Sequence, residues 1–395
     1  MNETILTPVN VPSNFFPNPA VPPASNGSTV SQNIQKFHNV LNRMLGVDPK
    51  ISDLIFSPGR PPQVELTGDL EPVQIPGLEQ LRPPQIKAMV DLLLIDNEQG
   101  KEILERSGST DVSYSVGGLC RFRVNIFRQR GTYAVVMRVI PTKPPDWKEL
   151  NLPPSVMDAA ELKSGLVLVT GPTGSGKSTT LAAIIDLINS KKKYHIVTIE
   201  DPIEFIHEHK LSTVHQRELH SDTPDFALAL RAALRQAPKV ILVGEMRDRE
   251  TIEVAMEAAE TGHLVLSTLH TVDAAKTIDR IIGVFPKNEE SVIRTRLAQS
   301  FRRIVSQRLM PKEGGGRIAA IEIMVSTSRT REYIEKGEKE GRSIVDAMND
   351  GSLDGMQSFD AVLEKFIRDG LVRKEVAIAY ATNQNNLLLS VSDLD

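Results

Sequence analysis

Cysteine occurs once in the 395 residues, at Cys120. That excludes an intramolecular disulfide and any multi-cysteine zinc site, and it fits a chain that works in a reducing compartment. An excess of charge of either sign is missing as well. The 46 lysines and arginines stand against 50 aspartates and glutamates, a net charge of −4, without the positive surplus of a dedicated duplex-DNA or anionic-membrane binder. No apolar run approaches the ~18 residues needed to span a bilayer; the cleanest stretches are strand-sized, such as Gly165-Leu-Val-Leu-Val169. Before Lys36 there is no lysine or arginine and no sustained apolar stretch, so both the charged start and the hydrophobic middle of a secretory signal are lacking. The expectation is a cytoplasmic chain that reaches a membrane only through protein partners. No internal repeat is evident.

What is present suffices for more than one core, with 40% hydrophobic and 24% charged residues over a length that suggests roughly two or three domains. Residues 1–31 are crowded with Pro, Asn, Ser and Thr and read as a flexible tail. Residues 32–140 mix helix and strand signals, with helices near Ile34–Leu45 and Pro84–Leu94, a strand near Gln63–Leu66, and a hairpin of Arg121–Phe127 and Tyr133–Ile140 around Gly131. Cys120, at the edge of that hairpin, reads as a small packed residue. The prolines of Pro141-Thr-Lys-Pro-Pro145 and Pro153-Pro154 make residues 141–156 a stiff linker. From 157 to 395, apolar strand-like runs alternate with helical patterns, as in an α/β domain built on a mostly parallel sheet, and the chain closes on a C-terminal helical part.

The strongest chemical signal opens this last domain. Leu166–Val169 reads as a buried strand and runs into Gly171-Pro172-Thr173-Gly174-Ser175-Gly176-Lys177-Ser178-Thr179, followed by a helical stretch. This is a Walker A loop in its strand-loop-helix setting. Its glycines let backbone N–H groups approach phosphates, the helix presents its positive end, Lys177 reaches the β/γ oxygens, and Ser178 can ligate Mg²⁺. ATP and Mg²⁺ are the expected ligand and cofactor.

In a doubly wound sheet, ligands gather at the carboxyl ends of the strands, so three further strand ends should lie beside that loop. Tyr194–Ile199 ends in the acidic run Glu200-Asp201-Pro202-Ile203-Glu204. Val240–Val243 ends in Gly244-Glu245-Met246-Arg247-Asp248, where Glu245 suits a Walker B role of holding a metal through its waters. His263 and His270 bracket a third apolar strand. Histidines there are packed or capping residues unless the neighbouring phosphate loop gives them a phosphate-sensing role. On the residues alone, Glu204, Glu200 and Asp201 are equal candidates for a general base, and Glu245 competes with them.

These four boxes, in this order, resemble the Walker A, Asp box, Walker B and His box of the type II/type IV secretion ATPases, and within them the PilT/PilU-like branch of twitching-motility motors. Arg121-Phe-Arg-Val-Asn125, Gln216-Arg-Glu218, Ala274–Arg280 and Gly355-Met-Gln357 extend the resemblance over about residues 33–380. The resemblance implies a PAS-like N-terminal domain joined to a RecA-like P-loop ATPase domain, six subunits in a ring, and nucleotide bound between the two domains. It implies Glu204 as general base, Glu245 as the residue positioning Mg²⁺ and water, and two arginines of the N-terminal domain as fingers. Arg123 and Arg138, fifteen residues apart on one face of the expected hairpin, match that pattern, with Arg121 as competitor. It also implies an inner-membrane pilus platform protein as client and a PilT or PilU paralogue as a possible partner; nucleic acid is not expected. The single cysteine and short N-terminal extension lack the zinc insertion and extra domain of the assembly ATPases. Against that, Ser52-Asp-Leu-Ile-Phe56, Arg235-Gln-Ala-Pro-Lys239 and Ser328–Glu335 depart from the retraction branch, and Asn383–Leu389 is similar to PilU-like paralogues. A retraction motor and a PilU-like accessory or secretion and assembly ATPase both stand at this point.

Overall fold

A computed structural model describes residues 27–66, 68–117, 120–141, 143–339 and 342–394. The tail expected over residues 1–31 falls largely outside these, and where it enters them it is helical: α1 starts at Gly27 and runs to Leu45. The chain divides into two compact units between Val139 and Ile140.

The first unit carries α1 (Gly27–Leu45), β1 (Ile51–Phe56), β2 (Gln63–Leu66), β3 (Asp69–Pro72), α2 (Pro83–Leu93), α3 (Glu98–Ser107), β4 (Ser109–Val116), β5 (Cys120–Gln129) and β6 (Thr132–Ile140). Its six strands form one sheet in the order β3-β2-β1-β6-β5-β4. Alternation along β5 buries Phe122, Val124 and Ile126 against Phe37, Leu41 and Met44 of α1, which leaves Arg121 and Arg123 on the opposite face. Met137 lies in the same core, so Arg138 shares that opposite face with Arg123.

In the second unit, α4 (Pro154–Met157) precedes β7 (Gly165–Thr170), α5 (Lys177–Lys191), β8 (His195–Glu200), β9 (Thr213–Glu218), α6 (Phe226–Ala233), β10 (Val240–Val243), α7 (Arg249–Glu260), β11 (Leu264–Leu269), α8 (Ala274–Gly283), α9 (Glu290–Ser300), β12 (Phe301–Pro311) and β13 (Arg317–Val325). The seven-stranded sheet has the order β13-β12-β7-β11-β10-β8-β9 and is parallel except for β13. Strands β7, β10 and β11 are buried at every position, which is why they read in sequence as unbroken apolar runs rather than as alternation. One sheet face packs on α6–α9 and the other on α4 and α5. Asp225, Asp248 and Asp273 cap α6, α7 and α8, each side chain accepting an N–H three residues on, and so fix how each helix leaves its strand. The mixed α/β architecture read from the sequence is the one observed.

The segment read as a stiff linker, residues 141–156, contributes to a core. Leu152 is buried, and Trp147 and Leu150 pack against the core of the second unit, because three large apolar side chains among the prolines gain more from burial than from water. Beyond β13 come α10 (Ser328–Lys336), α11 (Ile344–Asp350), α12 (Phe359–Arg368), α13 (Lys374–Tyr380) and α14 (Gln384–Ser390). The last three share a small core with Met310 and Ala320 of the β12–β13 hairpin.

Glu322, 2% exposed on β13, accepts the Ala274 N–H at the start of α8, and burial pushes its carboxyl up to about 7. Its protonated form is favoured by folding, so its contribution is fully present below the unfolded glutamate pKa and is lost as pH rises through about 7. Replacing Glu322 with Gln is therefore expected to flatten the fall in melting temperature between about pH 5 and about pH 8. Parallel thermal melts of the two proteins across that range check it; identical pH slopes would contradict it.

Candidate nucleotide-hydrolysis site

The turn after β7 needs residues without a side chain. Gly171 has φ +146°, and a Cβ there would sit 2.5 Å from both the Gln307 carbonyl oxygen and Ser175 Oγ. Gly176, at φ +92°, ends the loop and is the N-cap of α5, in the left-handed region that glycine enters without steric cost. The result is a loop of backbone wrapped below the positive end of a 15-residue helix, an anion cradle by construction. Gln307 on β12 donates to Thr180 Oγ1 at 2.8 Å and braces that helix against the strand beside β7.

Lys177 is the first residue of α5 and only 8% exposed. Its ammonium donates to the carbonyls of Gly171 and Pro172, each at 3.0 Å. Burial lowers its pKa, and the carboxylates of Glu204 and Glu245 push it back up. Those two acids come from different strand ends, so the sheet brings opposite charge to the lysine from two directions.

At the end of β10, the Glu245 carboxylate pairs with Arg247 Nε at 2.6 Å and lies 3.5 Å from His270 Nε2, which follows β11. Burial depresses the His270 pKa, with Lys177 adding to the depression and Glu245 opposing it, so the imidazole is neutral at neutral pH. Glu200, at the end of β8, has its carboxyl pushed up to about 7 by burial. His207, in the loop beyond, is held down to about 4 by its burial and is likewise neutral.

These groups line one cavity of about 490 Å³, together with Thr173, Gly174, Gly176, Ser178 and Thr179. That lies within the range of small-molecule and cofactor sites. Gly171, Pro172 and Ser175 form the loop around it. Ser178 and Glu245 offer oxygen donors on its wall, the hard donors that suit Mg²⁺. His263 is elsewhere. It precedes β11, its Nδ1–H donating to Ala258 O at 3.0 Å, so the six-residue strand separates it from His270 by about 20 Å at ~3.3 Å per residue. Arg123 and Arg138 belong to the first unit, where Arg138 Nε pairs with Asp53 at 2.9 Å and Arg123 Nε lies 3.9 Å from Asp111.

The sequence reading did not select Phe205, His207, Phe226, Leu309 or Arg317, which also line the cavity. Phe205 and His207 sit just past the acidic run, and their proximity to it was the available signal. Leu309 and Arg317 are brought in by the β12–β13 hairpin, whose turn Gly314-Gly315-Gly316 marks in sequence without showing which site the hairpin reaches.

A family profile described as Type II/IV secretion system protein matches residues 109–348. The type IV pilus retraction ATPase PilT of Pseudomonas aeruginosa is 46% identical over 326 residues, 82% of this chain and 93% of that protein. The type IV pilus ATPase PilU of the same organism is 39% identical over 357 residues, 90% of this chain and 91% of that one. Among solved structures, the pilus retraction motor PilT with bound ADP superposes with a TM-score of 0.79 at 41% identity, covering 88% of this chain and 97% of that chain.

Proposed function

Because the chain belongs to the type II/type IV secretion ATPase family, we propose that it is a hexameric, Mg²⁺-dependent motor whose ATP hydrolysis powers type IV pilus retraction and twitching motility. The observation that carries this is the meeting of Lys177, Glu204, Glu245 and His270 around one phosphate loop, joined to the likeness to PilT over most of both chains.

The loop of residues 171–179 holds the ATP phosphates, and Lys177 leaves the Gly171 and Pro172 carbonyls to neutralise them. Glu204 accepts the proton of the attacking water. Ser178 would hold Mg²⁺ directly and Glu245 through water; when bound, the ion neutralises charge on the phosphate oxygens. His270, neutral and beside Glu245, reports the phosphate state to the Walker B end. Arg123 and Arg138 act as fingers brought to the nucleotide from the N-terminal unit. In the ring, closing and opening of each site displaces one domain against the next. No helix of the described residues is long and apolar enough to cross a membrane. In this reading, force leaves through contacts with an inner-membrane pilus platform protein on its cytoplasmic face.

A second reading, a PilU-like accessory motor, is favoured by one observation: the likeness to PilU extends over 90% of this chain. Deleting the chain and imaging labelled pili separates the readings. Pili that extend but do not retract are the expected result. Bald cells would identify an assembly motor, and unchanged extension and retraction would identify a redundant accessory.

A further inference from the structure

Glu204 lies in an irregular loop, so its aim cannot come from helix or strand hydrogen bonding. The backbone partners of that loop are side chains of the two strands beneath it. Parallel pairing sets Thr198 beside Gln216 and Glu200 beside Glu218, and the period of two puts all four polar side chains on one face at the carboxyl ends of β8 and β9. The Ile203 N–H donates to Glu218 Oε2 at 3.1 Å. The Glu204 N–H donates to the Glu200 carboxylate. Gln216 takes two further groups, its Nε2 donating to Phe205 O at 2.8 Å and its Oε1 accepting the His207 N–H at 2.8 Å. The network is closed on itself: Thr198 Oγ1 and Gln216 Nε2 donate to Glu200 Oε1 at 2.6 and 3.1 Å, and Asp222 accepts the Glu218 N–H at 2.8 Å.

Four backbone groups on either side of and at Glu204 are thus held by three side chains, Glu218 and Glu200 before it and Gln216 after it. β9 is the last strand of the sheet, so its residues are free of a further strand and available to the loop. We propose that Glu200, Gln216 and Glu218 are positioning residues, a polar clamp that fixes the loop of residues 203–207 and so aims the Glu204 carboxylate at the attacking water. This rests on the reading of Glu204 as the general base. The physical reason is that a base misplaced by about 1 Å can lose on the order of 10²-fold in rate while substrate binding, which does not use it, is untouched. The buried, hydrogen-bonded Glu200 fits the same role, since an unpaired carboxyl at that depth would be costly.

The test uses the full chain and Gln216→Met, which keeps the side-chain length and removes the hydrogen bonds; Gln216→Ala, made in parallel, gives the same reading should the methionine variant fail to fold. Expected is a fall in kcat on the order of 10²-fold with ATP affinity within about threefold of the unaltered chain. The same substitution added to Glu204→Gln should cost nothing further, because the clamp then has no base to aim. Amide exchange at residues 203–207 should quicken while that of α5 does not. If Glu204→Gln loses turnover but Gln216→Met keeps it, or if the two losses add, the clamp is refuted while the base stands. If Glu204→Gln itself keeps full turnover, the base reading fails and the clamp with it.

Discussion

Glu204→Gln is expected to lose ATP turnover by about 10²–10⁴-fold while binding ATP as the unaltered chain does, whereas Lys177→Ala loses tight binding itself. The difference follows from when each group acts. Lys177 stands at the start of α5 with its ammonium over the loop carbonyls, so it neutralises phosphate charge in the ground state and the transition state alike. Glu204 lines the same cavity; as the proposed base it matters chiefly when the attacking water gives up its proton, and Gln cannot take one. Equilibrium nucleotide binding and steady-state phosphate release on the same three proteins check both halves. Unchanged hydrolysis by Glu204→Gln would move the base to Glu245, whose carboxylate lies in the same cavity.

The second large effect belongs to the first unit. Alanine at Arg123 and Arg138 together is expected to cost about 10³–10⁵ in kcat, the range of an arginine finger in related phosphoryl transfer. Alanine at Arg121 alone should leave turnover near that of the unaltered chain. Arg138 Nε pairs with Asp53 at 2.9 Å, the arginine side chain 66% exposed and the Asp53 carboxylate only 6% exposed, so moving the arginine to a triphosphate requires that the buried carboxylate be rehydrated or paired anew. Phosphate release at saturating ATP is the measurement; a double variant with unaltered kcat would remove both arginines from the mechanism, and a loss confined to Arg121→Ala would transfer the role.

How far the sequence carried these conclusions depended on how local each feature is. The phosphate loop is a contiguous string whose glycines are demanded by its own backbone, as Gly171 demonstrates, and β10 reads as buried because all four of its residues are. His263 and His270 look equivalent in sequence, each flanking the same apolar strand, yet only one end of a parallel strand faces the ligand; the placement of His270 in the cavity and of His263 at the far end is a property of the sheet. The start of α1 was hidden because Gly27–Asn33 offers almost no apolar period for a helix to show. Gln216 and Glu218 were visible as letters, but what they hold is a loop nine to fifteen residues earlier, joined to them only by the pairing of β8 with β9. Leu309 and Arg317 reach the cavity by the β12–β13 hairpin. Contacts set by topology leave no mark on the local pattern.

Whether hydrolysis at this cavity moves pili is the central question. Replacing the native copy with Glu204→Gln and following single labelled pili in living cells measures that. The expected cells carry the chain at its normal level, extend pili at the normal rate and fail to retract them; retraction that continues at the unaltered rate and frequency would remove this cavity from pilus retraction.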